Sequence, residues 1–268
     1  MKPSESNAIR TPADLNDLHD LCRLRSTLEA FAVSRWRKKA TRAKILKKLY
    51  VYQSHLRKAA VRTDYSAFHD ADTHLHREAV TACGIPSLLK SWELVVADLD
   101  AWILHVQQVY WPSLMSLYRE HELLLEAWNS PDSWVAEQAT HQHLEAGWYR
   151  LAAKQEDLSP EIDPVDRAAS FISTHFASNL DVDWIARNVS FVSASHLTRL
   201  FRKKLSVSPY AFLRQVRLER AAELVKSSPE EVSTIAHRVG YKNVSHFVRD
   251  FRKRYEMTPL AFRRNSQK

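Results

Sequence analysis

Two groups of side chains in this sequence have the types and spacing to do chemistry. The first is one carboxylate and three imidazoles: Asp72, His76, His121 and His143. Asp72 and His76 are four residues apart, which places them on one face of a helix. His121 and His143 fall in the strings HELLLEAW and HLEA, on later helical segments. Brought together from separate helices, such a set suits a divalent transition metal (zinc, nickel or manganese rather than calcium) at bond lengths of ~2.0–2.2 Å. Spacing alone does not single these four out. The first 164 residues hold nine histidines, and His69, His74, His105 and His141 compete; these are expected to be mostly exposed.

The second group is cationic and occurs twice. Ser195 to Gln215 reads SHLTRLFRKKLSVSPYAFLRQ, Ser245 to Asn265 reads SHFVRDFRKRYEMTPLAFRRN, and 10 of the 21 aligned positions are identical. The spacing predicts an amphipathic helix in each copy, with Leu197, Leu200 and Phe201, or Phe247 and Phe251, facing inward. Ser195, His196, Thr198, Arg199 and Arg202 then face outward, as do Ser245, His246, Val248, Arg249 and Arg252. Short polar residues near a helix start, Asn243 among them, can approach base edges, and Arg199 and Arg249 can grip guanine bidentately. Arg202, Lys203, Lys204, Arg252, Lys253 and Arg254 suit phosphates, which fix register without reading sequence. Upstream of each copy, Val182–Val189 and Val232–Val239 predict a short first helix with a small residue, Ala186 or Ala236, for the close packing a helix-turn-helix needs. Gly240 ends the second of these. Ser208-Pro209 and Thr258-Pro259 each predict a cap followed by a first-turn proline, hence a new helix.

The elements that must position these groups are all helical. Apolar residues recur at helical spacing over Leu18–Val33, Ile45–Val61, Phe68–Ala82, Leu88–Val109, Leu114–Trp128 and Trp134–Leu151, predicting an all-α bundle. The periodicity lapses over KQEDLSPEIDP, Lys154 to Pro164. The expected organisation is a loosely attached N-terminus over 1–13, a helical domain over 14–153, a linker over 154–164 and a DNA-binding domain over 165–268. Charge divides the same way: residues 1–164 carry a net −2 and residues 165–268 a net +10, the imbalance of a nucleic-acid module. The basic run Arg35–Lys48, with eight Lys or Arg, is read as a solvated surface, with an anionic partner as the alternative.

Other classes are excluded. Three isolated glycines cannot build a phosphate-cradling loop. Two cysteines give neither a disulfide framework nor a CxxC zinc site. No window reaches ~18 apolar residues, so no membrane span is expected, nor is a secretory leader; a cytoplasmic setting follows as the expectation. A metal-dependent hydrolase is the enzymatic alternative, since an open His₃Asp site could activate water. The chain has no HExxH string and nominates no general base, so no enzyme is expected. A helical half that only dimerises is the other alternative.

Asp166 to about Arg264 resembles the AraC/XylS-type DNA-binding domain. The resemblance is carried by IAxxV at Ile185, SHLTRLFRK, RLERAAELV over Arg217–Val225, IAHRVGY and the MTPLAFR string. It implies two helix-turn-helix motifs joined by a long helix, reading successive major-groove segments of double-stranded DNA about one turn (~34 Å) apart. Three departures stand out: Ser190 replaces a common turn glycine, the first motif reads as one residue longer before His196, and Glu256 stands where glycine usually precedes the TP pair. Residues from about Asp14 to Arg150 resemble the FCD ligand-binding domain of FadR-type GntR regulators, through RxxLE at Arg25–Glu29, DxxxH at Asp72–His76, the string over Glu120–Ala127 and HLEAG at His143. Ile85 departs from the asparagine usual there. This resemblance implies that Asp72, His76, His121 and His143 hold a metal whose open positions take a small carboxylate effector. Arg25 either pairs with that carboxylate or forms an i, i+4 salt bridge with Glu29. In GntR regulators the DNA-binding domain precedes this bundle; here the order is reversed. A homodimer and contact with RNA polymerase complete the expected partners, with no membrane among them.

Overall fold

A computed structural model describes residues 15–36, 39–111, 113–153 and 163–266, and every element among them is a helix. The chain divides into two compact units, 1–160 and 161–268. The expected N-terminal tail lies outside the described residues, as does all of the expected linker except Asp163 and Pro164. Those two belong instead to the first helix of the second unit: Asp163 caps it and Pro164 opens it.

Six helices form the first unit: α1 (Leu15–Ser34), α2 (Lys39–Arg62), α3 (Tyr65–Thr81), α4 (Pro86–Tyr110), α5 (Leu114–Trp128) and α6 (Ser133–Ala152). Local chemistry sets their starts. Asp64, Ser113 and Asp132 each accept a backbone N–H of the first turn, and Pro86 occupies the first turn of α4, where its missing N–H costs nothing. The apolar stripes then decide the packing. Leu18 and Cys22 of α1 meet Val95 and Leu99 of α4 and Trp148 and Leu151 of α6, while Ala32, Val80, Trp92 and Val96 join α1, α3 and α4. Each large buried side chain contributes about 1.5–3 kcal/mol of transfer free energy. In the basic run, Trp36 and Arg42 are buried and Lys44, Lys47 and Lys48 are exposed, Lys48 pairing with Glu78 at 2.8 Å; Arg37 and Lys38 lie outside the described residues.

The second unit comprises α7 (Pro164–Thr174), α8 (Val182–Asn188), α9 (Ala194–Leu205), α10 (Pro209–Ser227), α11 (Val232–Arg238), α12 (Val244–Tyr255) and α13 (Pro259–Ser266). The pairs α8–α9 and α11–α12 are the two helix-turn-helix motifs, and α10 connects them. Ala186 and Ala236 are fully buried, as are Phe201, Phe247 and Phe251. Leu218, Ala221 and Val225 of α10 pack with Ile235, Val239 and the two phenylalanines of α12. Arg217 of α10 donates to Phe176 O and Ser178 O, which anchors the segment after α7 on the connecting helix.

The first motif is not one residue longer than the second. Every boundary of α8 and α9 repeats fifty residues later in α11 and α12, so the turns have equal length. What differs is where the backbone turns left-handed. In the second motif Gly240 does so, at φ +89; in the first, Ser190 does not and Phe191 does, at φ +56. Gly240 is also sterically required, because a Cβ there would lie 2.7 Å from Ala177 O and 2.9 Å from the Arg217 guanidinium. Glu256 and its counterpart Ser206 both end their helices left-handed, at φ +60 and +59. Glu256 thus takes the conformation that a glycine would take at lower cost.

Candidate metal centre and nucleic-acid interface

Helices α3, α5 and α6 bring Asp72, His76, His121 and His143 together, each offering one ligand atom, all within 4.8 Å of one another. His76 and His121 are fully buried, Asp72 nearly so, and His143 is the most accessible of the four. Their other ring atoms are tied down. His76 Nδ1 lies 2.6 Å from Glu29 Oε2, and His121 Nδ1 lies 2.9 Å from Leu117 O. A carboxylate or carbonyl on one imidazole nitrogen fixes the ring and leaves the other nitrogen free to ligate. His121 Nε2 faces Asp72 Oδ1 at 2.5 Å and His76 Nε2 faces it at 3.6 Å. His76 Nε2 and His143 Nδ1 are shielded from solvent and have no hydrogen-bond partner among the described residues. Two orphaned imidazole nitrogens beside a buried carboxylate are what a divalent ion would satisfy, so the residues fit the metal that the sequence implies.

The electrostatics favour the donor set at Asp72 and His143 but not at His76, where burial is outweighed by Glu29 and Asp72, which raise the pKa to about 9, so that a metal there must displace a proton. Burial opposes ionisation of Asp72, but His121 and His76 outweigh it and hold the carboxyl well below the usual range. Burial, reinforced by His121 and His76, pushes His143 well below the usual imidazole range, leaving a neutral ring with a lone pair. Glu29 is the hub on the other side of His76. It is fully buried and accepts from Arg25 Nε at 2.9 Å and Trp92 Nε1 at 2.7 Å. His76 and Arg25 overcome the penalty of its burial and draw its pKa down to about 2.

Beside the four ligand atoms is a cavity of about 50 Å³, lined by Arg25, Gln107, Trp102, Ile103, Val106, Trp111, Leu117, Leu144 and Gly147 along with the four candidates. Arg25 forms the expected salt bridge to Glu29, and it also lines the cavity. Trp111 is held in the wall by its Nε1 bond to Glu120, which also accepts from Arg150.

The competing histidines separate. His74 and His105 are exposed and His141 is half-buried, its Nδ1 2.9 Å from Ser26 Oγ. His69 corrects the expectation: it is 7% exposed, and its Nε2 lies 2.8 Å from Asp100. Glu29 and Gln107 were not singled out from the sequence as site residues. Glu29 carried a signal, as part of the RxxLE string; Gln107, one of several polar residues of α4 and next to Gln108, carried none.

On the second unit, Ser195, His196, Arg199 and Arg202 are exposed, and so are Ser245, His246, Arg249, Arg252 and Lys253. Thr198 and Val248 are half-buried rather than outward, as is Leu200 on the inner side; Val248 packs against the α10–α12 core. Asn243 is exposed but caps α12, its Oδ1 accepting from Ser245 N and His246 N. Ser193 caps α9 in the same way, through His196 N. Neither cap was recognised in the sequence. Both helices end in three consecutive basic residues, Arg202–Lys204 and Arg252–Arg254. Among the described residues no helix is long and apolar enough to cross a membrane.

Comparison with known proteins gives two family matches: the FCD domain over residues 20–146 and a helix-turn-helix domain over residues 186–265. Neither is the model of an enzyme. The lactose operon transcription activator of Staphylococcus xylosus is 30% identical over 82 residues, 31% of this chain and 28% of that activator; the match thus spans little more than a quarter of the relative's length. Among solved structures, the C-terminal domain of the response regulator AraT from Geobacillus stearothermophilus is 32% identical, covering 40% of this chain and 88% of that one at a TM-score of 0.37. A DNA-binding transcriptional dual regulator from Escherichia coli K-12 is 26% identical, covering 41% of this chain and 96% of that one, also at 0.37. By these matches the chain carries an FCD domain followed by a helix-turn-helix domain.

Proposed function

We propose that this protein is a cytoplasmic transcription regulator whose FCD domain holds a divalent transition metal and senses a small organic acid, and whose C-terminal domain reads double-stranded DNA. One observation carries the DNA-reading half: both copies of the repeat expose the same Ser, His, Arg and Arg positions while burying the same phenylalanine. An ordinary helical bundle has no reason to duplicate a solvent-facing pattern. In this reading Arg199 and Arg249 contact bases, and Arg202, Arg252 and Lys253 contact phosphates. The first domain of this reading ends near residue 153 and the second begins at Asp163, the cap of α7, and a homodimer contacts RNA polymerase from the bound operator.

The sensing half is supported by the convergence of Asp72, His76, His121 and His143, with His76 Nε2 and His143 Nδ1 shielded and lacking a hydrogen bond among the described residues. A divalent ion there (zinc, nickel or manganese) would supply positive charge and open coordination positions for a carboxylate. The chain's own contribution is to orient His76 through Glu29, to orient His121 through the Leu117 carbonyl, and to present Arg25 to an anion. Ligand binding controls DNA only if the two arrangements of the protein differ in ligand affinity, and the coupling is then reciprocal.

The test is selection of operator sequences from random duplexes by the full chain. Enriched pairs of half-sites about one helical turn (~10 bp) apart are expected. Arg249→Ala should cost about 1–3 kcal/mol at one base step. Failure to enrich any sequence, or unchanged operator affinity in Arg199→Ala and Arg249→Ala together, would overturn the reading.

A further inference from the structure

We propose that a basin between the two helix-turn-helix motifs is a phosphate site, taken by the DNA backbone that lies between the half-sites, and that Arg214 and Lys242 hold it. The proposal rests on the DNA-reading function above and concerns a contact made from outside both recognition helices.

The basin measures about 410 Å³. It is bounded by the segment that enters α8, by the first half of α10, and by the turn and opening residues of α12. Arg214, Arg217, Lys242 and Arg249 line it against one carboxylate, Asp250. A cleft lined by one sign of charge concentrates the opposite sign. Asp250 is already engaged: it accepts from the Tyr241 hydroxyl at 3.4 Å and lies 3.5 Å from Arg249 Nε. Arg217 is committed to the carbonyls of Phe176 and Ser178. Arg214 and Lys242 are exposed and make no hydrogen bond or ion pair among the described residues. Two uncommitted cations therefore open on the same basin as the base-reading Arg249.

The fifty-residue duplication does not account for this lining. Lys242 corresponds to Val192 and Asp250 to Leu200, so the basin belongs to the junction of the motifs and not to the motif itself. On one face of B-DNA, two successive major-groove segments are separated by the minor groove, ~6 Å wide. The phosphates along its edges are the part of the duplex that a cationic lining between two recognition helices meets. A free phosphate ester is the other source of the same chemistry. Pockets for small molecules bury ~70–90% of the ligand, whereas Tyr210, Arg214, Lys242 and Arg249 all stay exposed here, which favours the duplex.

The experiment is equilibrium binding of the full chain to its selected operator, with a neutral methylphosphonate replacing one phosphate at a time. Replacement along the minor groove between the half-sites should weaken the wild type about 10-fold, the scale of one charge-assisted hydrogen bond. In Arg214→Ala/Lys242→Ala the same replacements should change affinity less than about twofold, while replacements elsewhere in the operator keep their effect. The double variant should also lower the slope of log affinity against log salt by about 2. Calorimetric titration of the DNA-free chain with inorganic phosphate and with ribose 5-phosphate tests the other source, and dissociation constants above ~1 mM are expected. Tighter binding that is lost in the double variant would assign the basin to a free phosphate ester and overturn the proposal. If methylphosphonates between the half-sites leave the wild type unaffected, or weaken wild type and double variant alike, the proposal falls and DNA reading stands. If no operator can be selected, both fall. The wild-type pattern alone is decisive against the proposal even if the variant does not fold.

Discussion

Replacing Glu29 by Gln removes a single negative charge and one acceptor, and the structure indicates how much that should cost. Glu29 is fully buried and satisfies three donors, Arg25 Nε, His76 Nδ1 and Trp92 Nε1. A glutamine offers one oxygen in place of two and turns an N–H₂ toward donors, so at least one buried donor is left unpaired and Arg25 loses its counter-charge. Removing one partner from a buried ion pair typically costs about 3–5 kcal/mol, which is a large part of the ~5–15 kcal/mol that holds a domain together. The assay is urea denaturation of the full chain in chelator, followed by tryptophan fluorescence, which reports chiefly on the first unit because seven of the eight tryptophans lie there. With a slope of ~2–3 kcal/mol per molar, the midpoint should fall by about 1–2 M. Glu78→Gln is the control: Glu78 is half-buried but its partner Lys48 is exposed, and loss of that pair should cost less than ~1 kcal/mol. In a parallel competition assay, zinc affinity should drop about 10- to 100-fold in Glu29→Gln, as expected when the carboxylate orienting a ligating imidazole is lost. A Glu29→Gln midpoint no lower than that of Glu78→Gln would refute the reasoning, since Glu29 would then not be the hub its geometry makes it.

Gly240→Ala places a Cβ 2.7 Å from Ala177 O on a residue at φ +89, so it should lower the melting transition of the second unit by more than ~1 kcal/mol in scanning calorimetry. Glu256→Gly, at a φ of +60, should instead raise it, by about 0.5–1 kcal/mol. Lys253→Ala should weaken binding to all duplexes nearly equally and lower the slope of log affinity against log salt by about 1; an effect confined to one operator would assign it to base reading instead. Burial pushes the Cys22 thiol up to about 12, while Cys83 is only half-buried. One thiol per native chain should therefore react with a thiol reagent at pH 8, and two in denaturant; two fast-reacting thiols in the native chain would contradict the burial of Cys22.

Much of this architecture is written locally in the chain. Helix starts at Asp64, Ser113, Asp132, Ser208 and Thr258 follow from side chains that cap N–H groups two or three residues away. The six helical stripes of the first unit, the fifty-residue repeat and the shared face of Asp72 and His76 likewise depend on spacings within a few residues. Packing decided the rest. Glu29 and His76 are 47 residues apart in sequence, and Gln107 and Asp72 are 35 apart; they meet only because α1, α3 and α4 pack with particular rotations about their axes, which no local period encodes. The burial of His69 against Asp100 and the left-handed turn at Phe191 rather than Ser190 arise the same way, from neighbouring helices limiting where a side chain or a peptide can go. The sequence determined which helices form and which chemical groups they carry; the tertiary structure decided which of those groups share a cavity, because side-chain contact across a bundle depends on helix rotation and on the volumes of residues far away in the chain.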